Sequence, residues 1–150
     1  MKKEKSKPHP LAVFLFILYL LLLFYLLFFS ENYGRTAEGG YRYNLELFKE
    51  IKRFWYNRDS LGFSTVLTNL VGNVVAFAPF GFFLPMLCRK GKNIVWCVLC
   101  SAGFSLLVES VQLLTKVGAF DVDDILLNAI GGMVGYLCYY LVWKPWLGKK

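Results

Sequence analysis

An unbroken run of 19 uncharged, mostly apolar residues near the N-terminus constrains this chain more than any other feature. The run, "LAVFLFILYLLLLFYLLFF", extends from Leu11 to Phe29. A helix of this length spans the hydrocarbon core of a bilayer. A basic start before an apolar run is also typical of a signal peptide, but this run is long for one, and no small-x-small cleavage site follows it. The run therefore predicts a retained transmembrane helix.

Three further apolar segments follow, at about 65–87, 94–114 and 125–143. Of the 150 residues, 57% are hydrophobic, and the mean hydropathy is +0.47. A soluble domain of this size has too little interior to bury so much apolar surface. The sequence therefore predicts an all-α polytopic membrane protein with four transmembrane helices. Pro79 and Gly81 lie within the second apolar segment and predict a kink or a break in its helix.

The segment between the first two spans ends in an amphipathic pattern. Apolar residues recur there at a spacing of three to four, and charged residues stand between them; the apolar set is Leu47, Phe48, Ile51, Phe54 and Trp55. This pattern predicts an amphipathic helix that either lies in the headgroup layer or packs against the bundle. The predicted organisation is a basic tail at 1–10, a first span at 11–29, an external loop with this helix at 30–64, a core of three spans at 65–143 and a basic tail at 144–150.

The distribution of charge predicts the topology. Of 17 basic residues, ten lie in the N-terminal tail, the 88–93 loop and the C-terminal tail, whereas the 115–124 loop has one Lys and three Asp. The positive-inside rule therefore predicts a protein of the cell membrane with both termini on the cytoplasmic side. The net charge of +7 also favours contact with anionic lipid. No basic stripe interleaved with aromatic residues is present, so no nucleic-acid partner is expected. The four cysteines lie in or beside apolar runs, which argues against a disulfide framework.

Polar residues inside the spans form the candidate site. With the predicted topology they all fall in the outer half of the membrane, and those singled out are Asn69, Asn73, Glu109, Gln112, Asp121, Asp124 and Asn128. Ionisable groups at membrane depth are costly and are typical of functional sites. Two structural roles compete with a binding role: Asp121 is suited to cap a helix, and the amides are suited to interhelical hydrogen bonds. Gly131-x-x-x-Gly135 predicts close helix packing.

The same residues carry a family resemblance. "NLVGNVVAFAPFGFFLP" (69–85), "SLLVESVQLL" (105–114) and "FDVDDILLNAIGGMVGY" (120–136) resemble three motifs of the VanZ-like family, in the same order. "YNLELF" (43–48) is similar to a fourth, with Leu47 in place of the usual Pro. The resemblance implies a small multi-pass bacterial membrane protein and identifies the candidate residues as the polar signature of the family.

The resemblance also implies a function in the cell envelope, because the namesake of the family is associated with resistance to teicoplanin and related lipoglycopeptides. One hypothesis is a binding or envelope-modifying protein that reduces access of lipoglycopeptides to their target. Its outward-facing site would hold a lipid headgroup or a cationic group of the antibiotic, so a lipid-linked precursor or the lipoglycopeptide itself is the expected partner. A second is an intramembrane enzyme acting on a lipid-linked envelope precursor, in which Glu109, Asp121 and Asp124 act as acid and base or hold a divalent cation. A transporter or proton-coupled channel ranks third, because one four-helix chain is too small for a lined pathway without oligomerisation. The sequence leaves the cofactor and the oligomeric state open.

Overall fold

Long helices dominate the molecule, as the hydropathy predicts. A computed structural model of the chain describes residues 10–29, 40–88 and 90–144. Within these residues, four helices are long and apolar enough to cross a bilayer: Pro10–Phe29, Val66–Leu87, Ile94–Thr115 and Val122–Trp143. The prediction of an all-α polytopic membrane protein is confirmed. Most of the two predicted basic tails and the start of the predicted loop lie outside the described residues.

The described chain forms six α-helices and several short elements. The helices are α1 (Pro10–Phe29), α2 (Lys49–Tyr56), α3 (Arg58–Leu61), α4 (Phe63–Leu87), α5 (Ile94–Thr115) and α6 (Val122–Cys138). The short elements are the strands β1 (Tyr43–Asn44) and β2 (Phe120–Asp121), a 3-10 turn (Lys90–Lys92) and a π-helical turn (Tyr139–Trp143). β1 and β2 pair in parallel, with Tyr43 opposite Phe120 and Asn44 opposite Asp121. This pair ties the α1–α4 connection to the start of α6.

Close packing of α4 against α6 forms the centre of the bundle. A side chain on Gly131 would collide with the carbonyl oxygen of Val74, and one on Gly135 would collide with that of Ala78. Because both glycines lack a side chain, the two backbones approach closely, as small residues allow in membrane helices. The predicted packing role of Gly131-x-x-x-Gly135 is thus confirmed.

Small residues also bring α5 close to α6. Ser101 and Ser105 of α5 are fully buried, and a side chain on Gly132 of α6 would collide with Ser101. The buried thiol of Cys97 lies 3.8 Å from the carbonyl oxygen of Gly132. All four cysteines are free thiols, in agreement with the expectation from their apolar surroundings.

Helix α1 lies at the side of this three-helix core. Most of its side chains are exposed and apolar, as expected for a face that meets lipid acyl chains. Hydrogen bonds attach it to its neighbours, for example from the Tyr19 hydroxyl to the carbonyl of Ala76 at 2.8 Å and from the Gln112 side-chain amide to the carbonyl of Leu27 at 3.0 Å. Helix α4 continues through Pro79 and Pro85. Of the two predicted alternatives, a kink or a break, the break therefore does not occur.

The α1–α4 connection contains the predicted helix in a shorter form. Helix α2 begins at Lys49, so Leu47 and Phe48 precede it. Ile51 and Phe54 are half-buried against the bundle, whereas Trp55 is 61% exposed. The helix therefore packs with one face and leaves the other uncovered. Its location outside the cell stays a prediction.

Candidate functional site

A polar cavity of about 200 Å³ lies at the end of the bundle where α4 and α6 begin and α5 ends. Helix α2 and the loop at 117–119 complete its wall. Eight of its lining residues are charged or carry amides: Arg42, Glu50, Arg53, Asn69, Gln112, Asp121, Asp123 and Asp124. We call this end of the molecule the cavity end. Four carboxylates and two guanidinium groups thus surround one small space.

Asp123 attaches α2 to the bundle. Its side chain is 1% exposed, and its two carboxylate oxygens accept the backbone N–H groups of Phe48, Glu50 and Ile51. The first N–H groups of a helix have no partner within it. Phe48, which precedes α2, adopts a left-handed conformation with φ 66° and provides no side-chain cap of its own. The carboxylate of another helix therefore supplies the missing cap and fixes one wall of the cavity.

Asp121 caps α6, as its sequence context predicts. Its side chain accepts the backbone N–H of Asp123 at 2.8 Å and the side-chain N–H of Asn44 at 3.0 Å. In a capping box within one helix, the acid three residues after the cap would accept the N–H of the cap residue. Here Glu109 of α5 accepts the N–H of Asp121 at 3.0 Å instead. Glu109 is 4% exposed, so its carboxylate serves a contact between α5 and the start of α6.

Asp124 faces α4. The side-chain amide of Asn73 on α4 donates to Asp124 Oδ1. One turn further into the membrane, the side-chain amide of Asn128 donates to the Ser105 hydroxyl at 2.8 Å. Both amides thus form the interhelical hydrogen bonds that the sequence offered as one of two roles.

Charge within the cavity is partly compensated. Arg53 of α2 forms an ion pair with Glu50 at 3.0 Å, and Arg42 contributes a second positive group to the lining. Burial raises the pKa of Glu50 above its usual value, and the nearby Arg53 opposes this shift. Burial also raises the pKa of Asp121, against the hydrogen bonds from Asp123 and Asn44 that lower it. The lining nevertheless holds four acids against two guanidinium groups, so its ionised form is negative overall.

The described residues include no group of three His, Cys, Asp or Glu side chains placed to hold a metal ion. Glu109 points its carboxylate at the backbone of Asp121, and Asp124 meets Asn73, so the three predicted acids do not converge on one point. The suggested divalent cation on Glu109, Asp121 and Asp124 therefore does not fit the arrangement of these side chains.

Four of the seven predicted residues line the cavity, namely Asn69, Gln112, Asp121 and Asp124. The other three stand behind the lining: Asn73 bonds to Asp124, Glu109 bonds to Asp121, and Asn128 bonds to Ser105. The prediction that the polar residues of three helices share one depth is consistent with these contacts. The sequence reasoning missed Asp123 and the charged residues of the connection, which are Arg42, Glu50 and Arg53.

The chain matches the family model described as VanZ/LLP1 over residues 16–143. It belongs to the VanZ/LLP1 family. The matched range begins within α1 and includes every element that lines the cavity. Searches of curated proteins and of solved structures found no significant match. The VanZ/LLP1 match and the four membrane helices together identify a multi-pass membrane protein of this family.

Proposed function

We propose that this VanZ/LLP1 chain acts at the bacterial cell membrane to reduce sensitivity to teicoplanin and related lipoglycopeptides. In this proposal the cavity is the binding site, faces the outside of the cell and takes up a lipid headgroup or a cationic group of the antibiotic. The observation that carries it is the convergence of four carboxylates and two arginines on one cavity at the end of a membrane bundle.

The chemistry of the lining supports a ligand with a positive group. Asp121 and Asp124 lie at the start of α6 and offer carboxylate oxygens to an amine, while Arg42 and Arg53 offer donors to a phosphate or carboxylate of the same ligand. Hydrogen bonds to charged groups contribute about 1.5–3 kcal/mol each, so two or three of them provide specificity within a small cavity.

Susceptibility of cells that express point variants tests this proposal. Asp124→Asn removes a charge from the cavity while keeping an oxygen that accepts from Asn73. We expect it to lose protection against teicoplanin at normal expression, with vancomycin susceptibility as the reference. Asp59→Asn is the matched control, because Asp59 is an exposed acid of α3 that does not line the cavity.

Two further variants separate the residues that line the cavity from the acid behind them. Glu109→Gln addresses the acid behind the lining, and we expect it to reduce protection less than Asp124→Asn does. Retained protection in both Asp124→Asn and the double variant Asp121→Asn/Asp124→Asn would overturn the proposal. Loss of protection in Asp59→Asn as well would point to a general effect of charge.

A second candidate is an enzyme that acts on a lipid-linked envelope precursor. It is favoured by one observation, that Asp121 and Asp124 line the same cavity and could act as acid and base. Lipid profiles of deleted and complemented cells separate the two functions. An accumulating precursor in the deletion strain, cleared by wild type and not by Asp124→Asn, would favour the enzyme. An unchanged profile would argue against it.

A further inference from the structure

The end of the bundle opposite the cavity presents three exposed lysines. Lys90 and Lys92 belong to the 3-10 turn between α4 and α5, and Lys144 follows the π-helical turn after α6. We call the surface formed by Lys90, Lys92 and Lys144 the lysine end. Its position at the end of apolar helices places it beside the lipid headgroups of one leaflet.

Hydrogen bonds hold the lysine end in a fixed shape. The hydroxyl groups of Tyr136 and Tyr140 both donate to the carbonyl oxygen of Lys92, at 2.9 and 3.2 Å. Gly91 is buried, and a side chain there would collide with the backbone of Leu84. The turn that carries two of the lysines is therefore fixed both to the end of α6 and to the end of α4.

Two of the ammonium groups lie over aromatic rings. Lys90 Nζ is 4.8 Å from the ring centroid of Trp96, and Lys144 Nζ is 4.7 Å from that of Tyr140. Tyr136 and Tyr140 also contact each other, with ring centroids 4.6 Å apart. Tyr and Trp beside Lys are typical of the membrane–water interface, where the rings bury their apolar parts and the ammonium groups face the headgroups.

The two ends of the bundle differ in charge. Among the described residues, the lysine end carries no acid, because every described Asp and Glu belongs to the cavity end: Glu46, Glu50, Asp59, Glu109, Asp121, Asp123 and Asp124. The basic residues of the cavity end are nearly equal in number to these acids, and they are Arg42, Lys49, Lys52, Arg53, Arg58 and Lys116. Positive charge is thus uncompensated only at the lysine end of the described chain.

We propose that the lysine end binds the headgroups of anionic phospholipids. The bilayer is the occupant that the surroundings favour, since exposed apolar side chains of the flanking helices, including Val95, Leu141 and Val142, continue from the lysines towards the acyl chains. Juxtamembrane lysines are attracted to anionic leaflets, and each contributes roughly fivefold to lipid partitioning.

This inference does not depend on the proposed role of the cavity. The negative surface potential of the cytoplasmic leaflet attracts juxtamembrane lysines. A lysine end that prefers anionic lipid therefore orients the bundle with the cavity on the opposite side. The preference would provide physical support for the orientation that the positive-inside rule predicts.

Tryptophan fluorescence measures this lipid preference at each end separately. Trp96 lies at the lysine end, and Trp55 lies at the cavity end, 5.3 Å below Arg58. One protein retains only Trp96 and another only Trp55, with Phe at the other tryptophan positions. Each protein is reconstituted in two kinds of vesicle made of phosphatidylcholine and phosphatidylglycerol. In one kind the phosphatidylglycerol is brominated, and in the other the phosphatidylcholine is. Because bromine quenches tryptophan fluorescence at short range, the quenching reports which lipid lies beside the ring.

We expect Trp96 to show at least about fivefold preference for phosphatidylglycerol and Trp55 to show little preference. The triple variant Lys90→Gln/Lys92→Gln/Lys144→Gln should abolish the preference at Trp96. The matched triple variant Lys49→Gln/Lys52→Gln/Lys116→Gln removes the same charge at the cavity end and should leave Trp96 unchanged. Replacement of the three lysines of the lysine end by Arg keeps the charge and should keep the preference.

Equal preferences at Trp96 and Trp55 would overturn the proposal, as would an unchanged preference in the triple Gln variant of the lysine end. Equal losses in the two triple Gln variants would also overturn it, because they would show that total charge decides the lipid preference and not the lysine end.

Discussion

The carboxylate of Glu109 accepts the backbone N–H of Asp121 at 3.0 Å, so an acid of α5 completes the cap of α6. Asp121 accepts the N–H of Asp123, and Asp123 in turn accepts three N–H groups at the start of α2. A chain of three carboxylates thus connects α5, α6 and α2. Each member satisfies backbone donors that the helix ends leave without partners.

Glu109→Ala should lower the free energy of unfolding by about 1–3 kcal/mol, because it leaves the N–H of Asp121 without its acceptor. Glu109→Gln keeps a side-chain oxygen at the same distance from the backbone and should cost less. Unfolding of the purified protein in mixed micelles, with an increasing fraction of denaturing detergent, measures the free energy of unfolding of both variants. Ser110→Ala is the control, since that hydroxyl bonds only within its own helix, to the carbonyl of Leu106. Equal losses of unfolding free energy in Glu109→Gln and Glu109→Ala would contradict the capping role.

Asp123→Ala should release the start of α2. The N–H groups of Phe48, Glu50 and Ile51 lose their acceptor, so their hydrogen exchange should become faster while exchange in α5 is unchanged. Mass spectrometry of peptides from residues 46–56 measures the effect. Asp59→Ala is the control, because it removes an exposed acid whose Oδ1 lies 3.9 Å from Arg58 Nε. Exchange in these peptides should then match the wild type. Slow exchange at Phe48 in Asp123→Ala would show that α2 is held by other contacts.

Gly135→Ala should destabilise the bundle by about 1–3 kcal/mol, because the added methyl group forces α6 away from the backbone of α4. Gly103→Ala is the matched control within another membrane helix, where no atom lies within 4 Å of an added side chain. It should be neutral or stabilising, since Ala favours helix over Gly. Thermal melting in detergent distinguishes the two, and equal melting temperatures would mean that α4 and α6 do not approach so closely.

Stability should increase as the pH is lowered from neutral towards the ordinary Asp121 pKa of 3.8. Burial raises the pKa of Asp121 in the folded protein, so the folded state takes up its proton at a higher pH than the unfolded state does. Asp121→Asn keeps a capping oxygen and should reduce this increase. Glu50, whose pKa is also raised by burial, should account for part of what remains. The free energy of unfolding measured at several pH values tests the sign, and an identical pH profile in Asp121→Asn would contradict it.

Local sequence patterns were sufficient for the membrane helices and for part of the site. Hydropathy located the four spans, because each run of apolar residues is long enough to cross a bilayer without help from its neighbours. The spacing of Gly131 and Gly135 predicted a close helix contact, since residues four apart share one helix face. Asp121 was recognised as a cap from its position before an apolar run, and the structure agrees.

Contacts between distant parts of the chain decided the rest. The sequence predicted no separate role for Asp123, because its three donors lie more than 70 residues earlier in the α1–α4 connection. The spacing of residues does not show where that connection runs relative to α6. For the same reason Arg42, Glu50 and Arg53 were missed as part of the cavity wall. Glu109 gave a correct signal of importance, since a buried acid needs a partner, but its partner is a backbone N–H twelve residues ahead.

The sequence by itself determined that four apolar helices cross a membrane and that their polar residues gather near one end. The length of an apolar run and the helical spacing of its residues are local properties of the sequence, so both can be recognised without a structure. Only the tertiary structure decided which carboxylate caps which helix and which acids line a cavity. Those roles depend on distances of about 3 Å between residues from different helices, and such distances are set by packing.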